Sequence, residues 1–225
     1  MAALSKLGRR KDPALEARRK AEILAVAAKA FAECGYAETN VDVIANHVGV
    51  GKGTVYRYFP TKEKLFLATV DQGLEELSHD VDSVIADPTL EPLVKMRRVI
   101  HNYFTFFARR PEMVELFIQE RATFRDRHQP RYFAMKTEKD CGDIHAVFVG
   151  ELIAGGCLRE MPTARFMGVV GDLLYGTIMT NYLTGRQVSP TDQAHDVLDI
   201  LFHGILSDRE RKRHNRKSAK LLEGK

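Results

Sequence analysis

The chain contains no tryptophan, only three cysteines in 225 residues, and no apolar run long enough to cross a bilayer. Cys34, Cys141 and Cys157 are odd in number and lack the CxxC or Cys/His spacing of metal ligands, so we expect buried or half-buried free thiols; redox sensing or metal binding is the alternative. Every apolar run is interrupted before the ~20 residues that a membrane helix needs. No apolar signal-peptide segment follows the basic N-terminal residues, so we expect a cytoplasmic protein without a membrane partner.

Two further absences concern fold and chemistry. The chain shows neither the alternating pattern of strands nor an internal repeat, and helical spacing predominates, so we predict an all-α protein of about nine helices. It also lacks a nucleophile elbow, a metal-ligand pair and a phosphate-binding loop. We therefore predict no catalytic site, no metal site and no cofactor. An enzyme is the alternative that a turnover screen would detect.

The charges are distributed unevenly, although the net charge is only +4. Residues 1–64 carry a net charge of +5, residues 65–207 carry −6, and residues 208–225 carry +5. A basic head on an acidic body is typical of a nucleic-acid-binding module joined to a part that does not touch DNA. We therefore predict an N-terminal arm and DNA-binding domain over residues 1–64. Residues 65–225 would form a helical effector-binding and dimerisation domain with a basic tail.

The basic head contains the pattern of two short helices joined by a tight turn. Thr39 and Asp42 match a capping box at the start of the first helix, and Gly49 supplies the left-handed backbone that ends it. Residues 52–58 are predicted to form the second helix, and Thr61 to cap the next one. This arrangement is a helix-turn-helix. The apolar residues of its first helix share one face: Val41, Ile44, Ala45 and Val48.

The second helix carries side chains suited to the major groove of DNA. Lys52 and Arg57 can reach phosphates or guanine edges, and Thr54 is small enough to contact a thymine methyl group or a base edge. Tyr56 can lie along the sugar-phosphate backbone, and Gly53 lets the protein backbone approach the DNA closely. The predicted DNA-binding residues are Thr39, Lys52, Gly53, Thr54, Tyr56, Arg57, Tyr58 and Lys62.

Residues 41–66 resemble the DNA-binding segment of the TetR family of repressors. They read VDVIANHVGVGKGTVYRYFPTKEKLF, and the matching elements are V-D-x-I-A, the turn glycine, K-G-T-V-Y-x-Y-F and T-K-E-x-L. Upstream, residues 21–41 (AEILAVAAKAFAECGYAETNV) resemble the first helix and the connection of that family. The sequence departs from the family at Gly51, where Ser or Thr is usual, and at Arg57, where many members carry His.

The resemblance implies a homodimeric repressor that binds a double-stranded, palindromic DNA operator. Its two recognition helices would enter successive major grooves ~34 Å apart, and the fourth helix would join the head to the body. A small-molecule effector of unknown identity would release the DNA by favouring a state in which the heads lie too far apart. The alternatives are a helical architectural or adaptor protein without an effector, and an activator.

Six helical stretches are predicted in the body, over residues 62–86, 90–110, 111–126, 130–158, 162–185 and 191–215. The fifth contains Gly168, Gly171 and Gly176 among apolar residues, a composition that suits close helix–helix approach. With the apolar face of the sixth, it would pair with the same helices of a second copy, as the resemblance also implies. The alternative is packing inside one chain. The face of the sixth helix comprises Val197, Leu198, Ile200, Leu201, Ile205 and Leu206.

Aromatic and polar side chains in the middle helices could line a ligand cavity, because effector pockets are mostly apolar with a few polar anchors. Ordinary core packing is the alternative for each of them. The predicted ligand-binding residues are His101, Phe104, Phe107, Glu120, Phe124, His145, Phe148, Tyr175 and Met179.

Both chain ends are basic. Arg9, Arg10 and Lys11 could form an arm that follows the DNA backbone or enters a minor groove, the alternative being an untethered terminus. The tail from Arg209 is predicted to be a frayed, solvated helix end, with DNA contact as the alternative.

Overall fold

A computed structural model describes residues 12–124, 130–135 and 139–204. These residues form ten α-helices and no strand, which confirms the all-α prediction. The basic arm at Arg9–Lys11, the tail from Arg209, and Ile205 and Leu206 lie outside the described residues, as does the side chain of Cys141. The helices are α1 (Pro13–Glu38), α2 (Val41–Val48), α3 (Lys52–Tyr58), α4 (Lys62–Ala86), α5 (Pro92–Arg109), α6 (Glu112–Thr123), α7 (Arg131–Met135), α8 (Lys139–Ala154), α9 (Thr163–Thr184) and α10 (Pro190–His203).

Two predicted helices differ from the observed ones. The single helix expected over residues 130–158 corresponds to α7 and α8, and residues 136–138 between them lie outside the described part. The last helix was expected to reach residue 215, but α10 ends at His203 because Gly204 adopts a φ of 71°, which an α-helix does not accommodate.

The chain divides into two compact units. The first unit spans residues 1–79 and 110–145, and the second spans residues 80–109 and 146–225. Helices α6 and α7 therefore belong to the same unit as the helix-turn-helix, although they follow residue 64 in sequence. The boundary between the DNA-binding domain and the effector-binding domain, expected between residues 64 and 65, stays a prediction.

In the first unit, α1 packs against both α2 and α6. Its buried face includes Phe31, whose ring meets Phe66 edge-to-face with 5.1 Å between centroids. Gln119 of α6 donates a hydrogen bond from Nε2 to the backbone carbonyl of Phe31 at 2.9 Å. This bond is buried and joins positions 88 residues apart in sequence, so it fixes α6 on the helix that carries the head.

Helices α4 and α6 approach each other closely. At Gly73 of α4, an added Cβ would collide with the fully buried Met113 of α6, so the glycine permits the close approach of these two helices. Arg131 donates to the carboxylate of Asp71 on α4 through its guanidinium, and to Glu120 through its backbone N–H at 3.1 Å. These contacts attach α7 to both helices.

In the second unit, α5 packs against α10. Val197 and Leu198 of α10 are buried in this unit, so much of the face assigned to a second copy is used within the chain. Ile200 alone of the described large apolar residues of α10 is largely exposed, at 47%. The guanidinium of Arg97 lies over the ring of Phe202, 4.8 Å from its centroid, and holds the end of α10 against α5.

Helix α9 exposes an apolar stripe. Val169, Leu173 and Leu183 are 62%, 37% and 71% exposed, and their spacing places them on one side of the helix. An added Cβ at Gly168 or Gly176 would meet no atom of the described chain within 4 Å. The predicted close approach at these two glycines is therefore not made by the part of the chain that the structure describes.

Two cysteine predictions were wrong. Cys34 and Cys157 are exposed free thiols rather than buried ones. Next to Cys34, Gly35 leaves the helical conformation with φ 80° and ψ 157°, so α1 is kinked at this point. Among the described residues, no helix is both long and apolar enough to cross a membrane.

Candidate nucleic-acid interface

Helix α2 is capped by a different residue from the one predicted. The Asn40 side chain accepts a hydrogen bond from the backbone N–H of Asp42 at 2.9 Å. Thr39 instead donates its hydroxyl to the backbone carbonyls of Gly35 and Ala30, at 2.6 and 3.1 Å, at the end of α1. Since Thr39 is only 4% exposed and its hydroxyl is used internally, we leave it out of the DNA-facing set.

The turn between α2 and α3 follows the prediction. Gly49 adopts the left-handed conformation, with φ 74° and ψ 35°, where glycine carries little steric cost. The next backbone N–H, of Val50, donates to the carbonyl of Ala45 at 2.9 Å, which closes the end of α2. This geometry directs the chain from α2 into α3 over the three residues 49–51.

Helix α3 has one fully buried side chain and several exposed ones. Val55 is completely buried, and Phe59, the C-cap residue that follows the helix, is buried as well. Lys52, Gly53, Tyr56 and Arg57 are exposed, and Thr54 and Tyr58 are half-buried. A short helix with an apolar anchor and a polar outer face can enter a groove without unfolding, as a recognition helix must.

Lys52 is held by Asp42, a pairing that the sequence analysis missed. The Lys52 ammonium lies 2.7 Å from Oδ2 of Asp42, across the turn. Because this carboxylate accepts the hydrogen bond, the pKa of Lys52 is raised above its usual value. The two residues are ten positions apart on different helices, so no helical periodicity marks them as partners.

The other cations of this surface have aromatic neighbours. The Arg57 guanidinium lies 5.1 Å from the ring centroid of Tyr58. Lys62 donates to the carbonyl of Ala37 at 2.7 Å and lies 5.0 Å from the ring centroid of Tyr36. Burial, with a smaller contribution from the Glu63 carboxylate, raises the pKa of the Tyr36 phenol. The Lys62 ammonium thus supports the end of α1 and retains N–H donors for another acceptor.

The predicted ligand-binding residues fall in both units. Glu120, Phe124 and His145 belong to the first; the other six, including His101, belong to the second. The 2%-exposed Glu120 accepts the Arg131 backbone N–H, and Phe124 packs against Tyr36 with centroids 5.2 Å apart.

In the second unit, His101 lies 3.4 Å from the hydroxyls of both Thr105 and Thr191. Phe104, Phe107 and Phe148 are buried, while Tyr175 and Met179 are half-buried. These contacts describe core packing. They do not test whether the nine predicted residues bind a ligand, which stays a prediction. Among the described side chains, no group of three or more His, Cys, Asp or Glu residues has the arrangement of a metal site.

The family comparison matches this surface. Residues 23–69 match the model of bacterial regulatory proteins of the tetR family, which spans α1 to the first turns of α4. This match confirms the resemblance seen in residues 41–66.

Two curated relatives resemble the N-terminal part. An HTH-type transcriptional regulator of uncharacterised role, YhgD of Bacillus subtilis, is 36% identical over 83 residues, or 37% of this chain and 41% of that protein. The HTH-type transcriptional regulator EthR of Mycolicibacterium smegmatis is 31% identical over 93 residues, or 41% of this chain and 43% of that protein. The chain therefore spans less than half the length of these relatives.

Solved structures extend the likeness to the whole fold. The transcriptional regulator FadR of Bacillus subtilis, solved with stearoyl-CoA, aligns with a TM-score of 0.62 and 20% identity over 83% of this chain and 99% of that one. At this identity the likeness concerns the fold alone: an all-helical chain of the same architecture.

Proposed function

We propose, from the premise that residues 23–69 form a DNA-binding domain of the TetR family of bacterial regulatory proteins, that the whole chain is a homodimeric transcriptional repressor. It would bind a palindromic operator in the cytoplasm and release it when a small molecule binds the body. The chain's relatives are named as transcriptional regulators rather than enzymes, in agreement with the sequence prediction.

The observation that carries this proposal is the outer face of α3. That face combines two cations, an exposed tyrosine and a glycine on a helix anchored by the buried Val55. Tyr56, Arg57, Tyr58 and Lys62 would contact phosphates, Lys52 would reach a phosphate or a guanine edge, and Gly53 and Thr54 would lie nearest the bases. Lys62 can do so without leaving Ala37, because an ammonium group has three donors.

Dimerisation is supported by the exposed stripe on α9. Monomeric proteins seldom leave several large apolar side chains exposed along one helix face, and such a face usually covers another protein surface. The open backbone at Gly168 and Gly176 would let a second copy approach closely. A two-fold dimer would bring two copies of α3 to a palindrome.

The support for an effector concerns its chemical class. Buried aromatic residues of α5 and α8, among them Phe104, Phe107 and Phe148, suit an apolar ligand. The structurally similar FadR was solved with stearoyl-CoA, which is an apolar chain on a polar head. We therefore propose an effector with a substantial apolar part, and expect native mass spectrometry or a thermal-shift screen to detect its binding.

The DNA proposal is tested by the salt dependence of binding to a duplex selected from a random pool by the wild-type protein. Arg57→Ala should weaken binding and lower the slope of log K against log salt by about 0.9, the value for one phosphate contact. Arg159→Ala, an exposed arginine outside the head, is the matched control and should leave the slope unchanged. Equal slopes for Arg57→Ala and wild type would contradict the phosphate contact.

The same protein and DNA duplexes distinguish the proposed repressor from an architectural protein and from an activator. An architectural or adaptor protein would bind unrelated duplexes as well as the selected one and would show no ligand-dependent release. An activator would bind the selected duplex but raise transcription from it in a reconstituted assay, whereas the proposed repressor lowers transcription.

A further inference from the structure

The pair formed by Asp42 and Lys52 lies at the junction of α2 and α3. Asp42 is in the first turn of α2, where Asn40 accepts a hydrogen bond from its backbone N–H. Its Oδ2 accepts from Nζ of Lys52, the first residue of α3, at 2.7 Å. Their side chains are 46% and 47% exposed, so water and other solutes reach both charges.

This pair compensates for two weak features of α3. The N-cap residue is Gly51, which provides no side-chain cap, and the first residue of the helix, Lys52, is a cation at the positive end of the helix dipole. A free lysine there would be repelled from the helix end and would move over four rotatable bonds. The Asp42 carboxylate opposes the repulsion and selects one direction for the ammonium group.

We propose that Asp42 is a positioning residue for DNA recognition: it restrains Lys52 so that this lysine discriminates between base sequences instead of binding any phosphate. The proposal rests on the proposed DNA-binding function. With Asp42, the pair is neutral overall and gains little from the charge of a nearby phosphate. The two remaining N–H donors of Lys52 can still bind acceptors on a base edge, such as O6 and N7 of guanine.

The charge count makes the proposal measurable. Binding without sequence preference comes almost entirely from phosphate neutralisation, and its salt dependence reports the number of cations engaged. Removing the negative charge of Asp42 frees one ammonium for phosphate contact. Unspecific binding should then become tighter and more salt-dependent, while the preference for the selected sequence falls.

The experiment compares wild type, Asp42→Asn, Asp42→Glu and Lys52→Met on the selected duplex and on a scrambled duplex of the same composition. For Asp42→Asn we expect affinity for the scrambled duplex to rise roughly fivefold, the size of one exposed charge interaction. The salt slope should steepen by about 0.9. Asp42→Glu keeps the carboxylate and should restore part of the discrimination. In the Lys52→Met background, Asp42→Asn should no longer increase the slope.

The outcomes distinguish failure of the inference about Asp42 from failure of the proposed DNA-binding function. If wild type selects a duplex and Arg57→Ala weakens its binding, but Asp42→Asn keeps the wild-type slope and discrimination, Asp42 has only a structural role and the inference is overturned. A lower melting temperature without a change of slope would have the same meaning. If wild type selects no duplex at all, the proposed DNA-binding function itself fails.

Discussion

Helices α3 and α9 both leave much of their surface exposed, but they expose different chemistry. In α3, Val55 is buried and the outer face carries Lys52 and Arg57. In α9, the exposed face carries Val169 and Leu183. A polar, basic face is fully hydrated until a polyanion replaces its counterions, whereas an apolar face gains free energy only by leaving water. The two faces therefore suit the two proposed partners: DNA for α3 and a second copy for α9.

The largest predicted effect concerns the apolar face. Val169→Glu should convert the proposed dimer to a monomer at micromolar concentration, because a carboxylate buried at an interface has no partner. Operator affinity should then fall at least about 100-fold, since one head alone lacks the effective concentration that a dimer provides. Light scattering and DNA titration measure these two quantities.

The matched control for this change is Val147→Glu on α8. Val147 is 60% exposed, close to the 62% of Val169, but lies on another helix. It should leave the dimer intact. If both substitutions produced monomers, or neither did, the assignment of the interface to α9 would be wrong.

A smaller effect should follow from removing the buried hydrogen bond between α6 and α1. Gln119→Met removes the donor to the buried carbonyl of Phe31 and should lower the free energy of unfolding by about 1–3 kcal/mol. Thermal or urea unfolding measures the change. The same substitution at Gln72, whose bond to Glu76 is only part-buried, should cost less than about 0.5 kcal/mol. Equal losses would show that the bond between α6 and α1 has no special weight.

The cap of α2 gives the next effect in size. Asn40→Ala should lower the free energy of unfolding by about 1 kcal/mol, because the N–H of Asp42 loses its acceptor. Asn46→Ala, an exposed site within the same helix, should be close to neutral. Urea unfolding of the two variants distinguishes the observed cap from an unspecific effect of losing asparagine.

The smallest effect is a gain. Gly51 has φ −73° and ψ 149°, which serine adopts freely, and an added Cβ would meet no described atom within 4 Å. Gly51→Ser should therefore raise the free energy of unfolding by a few tenths of a kcal/mol by capping α3. Gly51→Ala has the same backbone preference without the acceptor. If it stabilised the protein equally, backbone entropy rather than capping would explain the gain.

The turn and recognition helix were the most predictable parts. Gly49 and Pro60 mark the limits of the segment, and α3 runs from Lys52 to Tyr58 as predicted. Local rules also favoured Thr39 as the cap of α2, because threonine and asparagine both suit that position. The choice of Asn40 was decided by α1, because the carbonyls of Ala30 and Gly35 accept the hydrogen bond of the Thr39 hydroxyl.

The candidate sites were less predictable than the helices. The DNA-facing residues of α3 could be chosen because one buried valine fixes which side of a seven-residue helix faces outward. The pairing of Lys52 with Asp42 could not, because it depends on the angle between two helices. The apolar face of α10 was assigned to a second copy, whereas Val197 and Leu198 are buried within a chain in which α10 packs against α5.

The sequence alone determined where most of the helices form, the helix-turn-helix, the family resemblance and the segregation of charge, because periodicity, turn glycines and composition are local properties. The tertiary structure decided which faces are buried, that α6 packs with the head, that Cys34 is exposed and that Asp42 holds Lys52. These features depend on which distant segments become neighbours, and burial and pairing are defined only when those neighbours are in place.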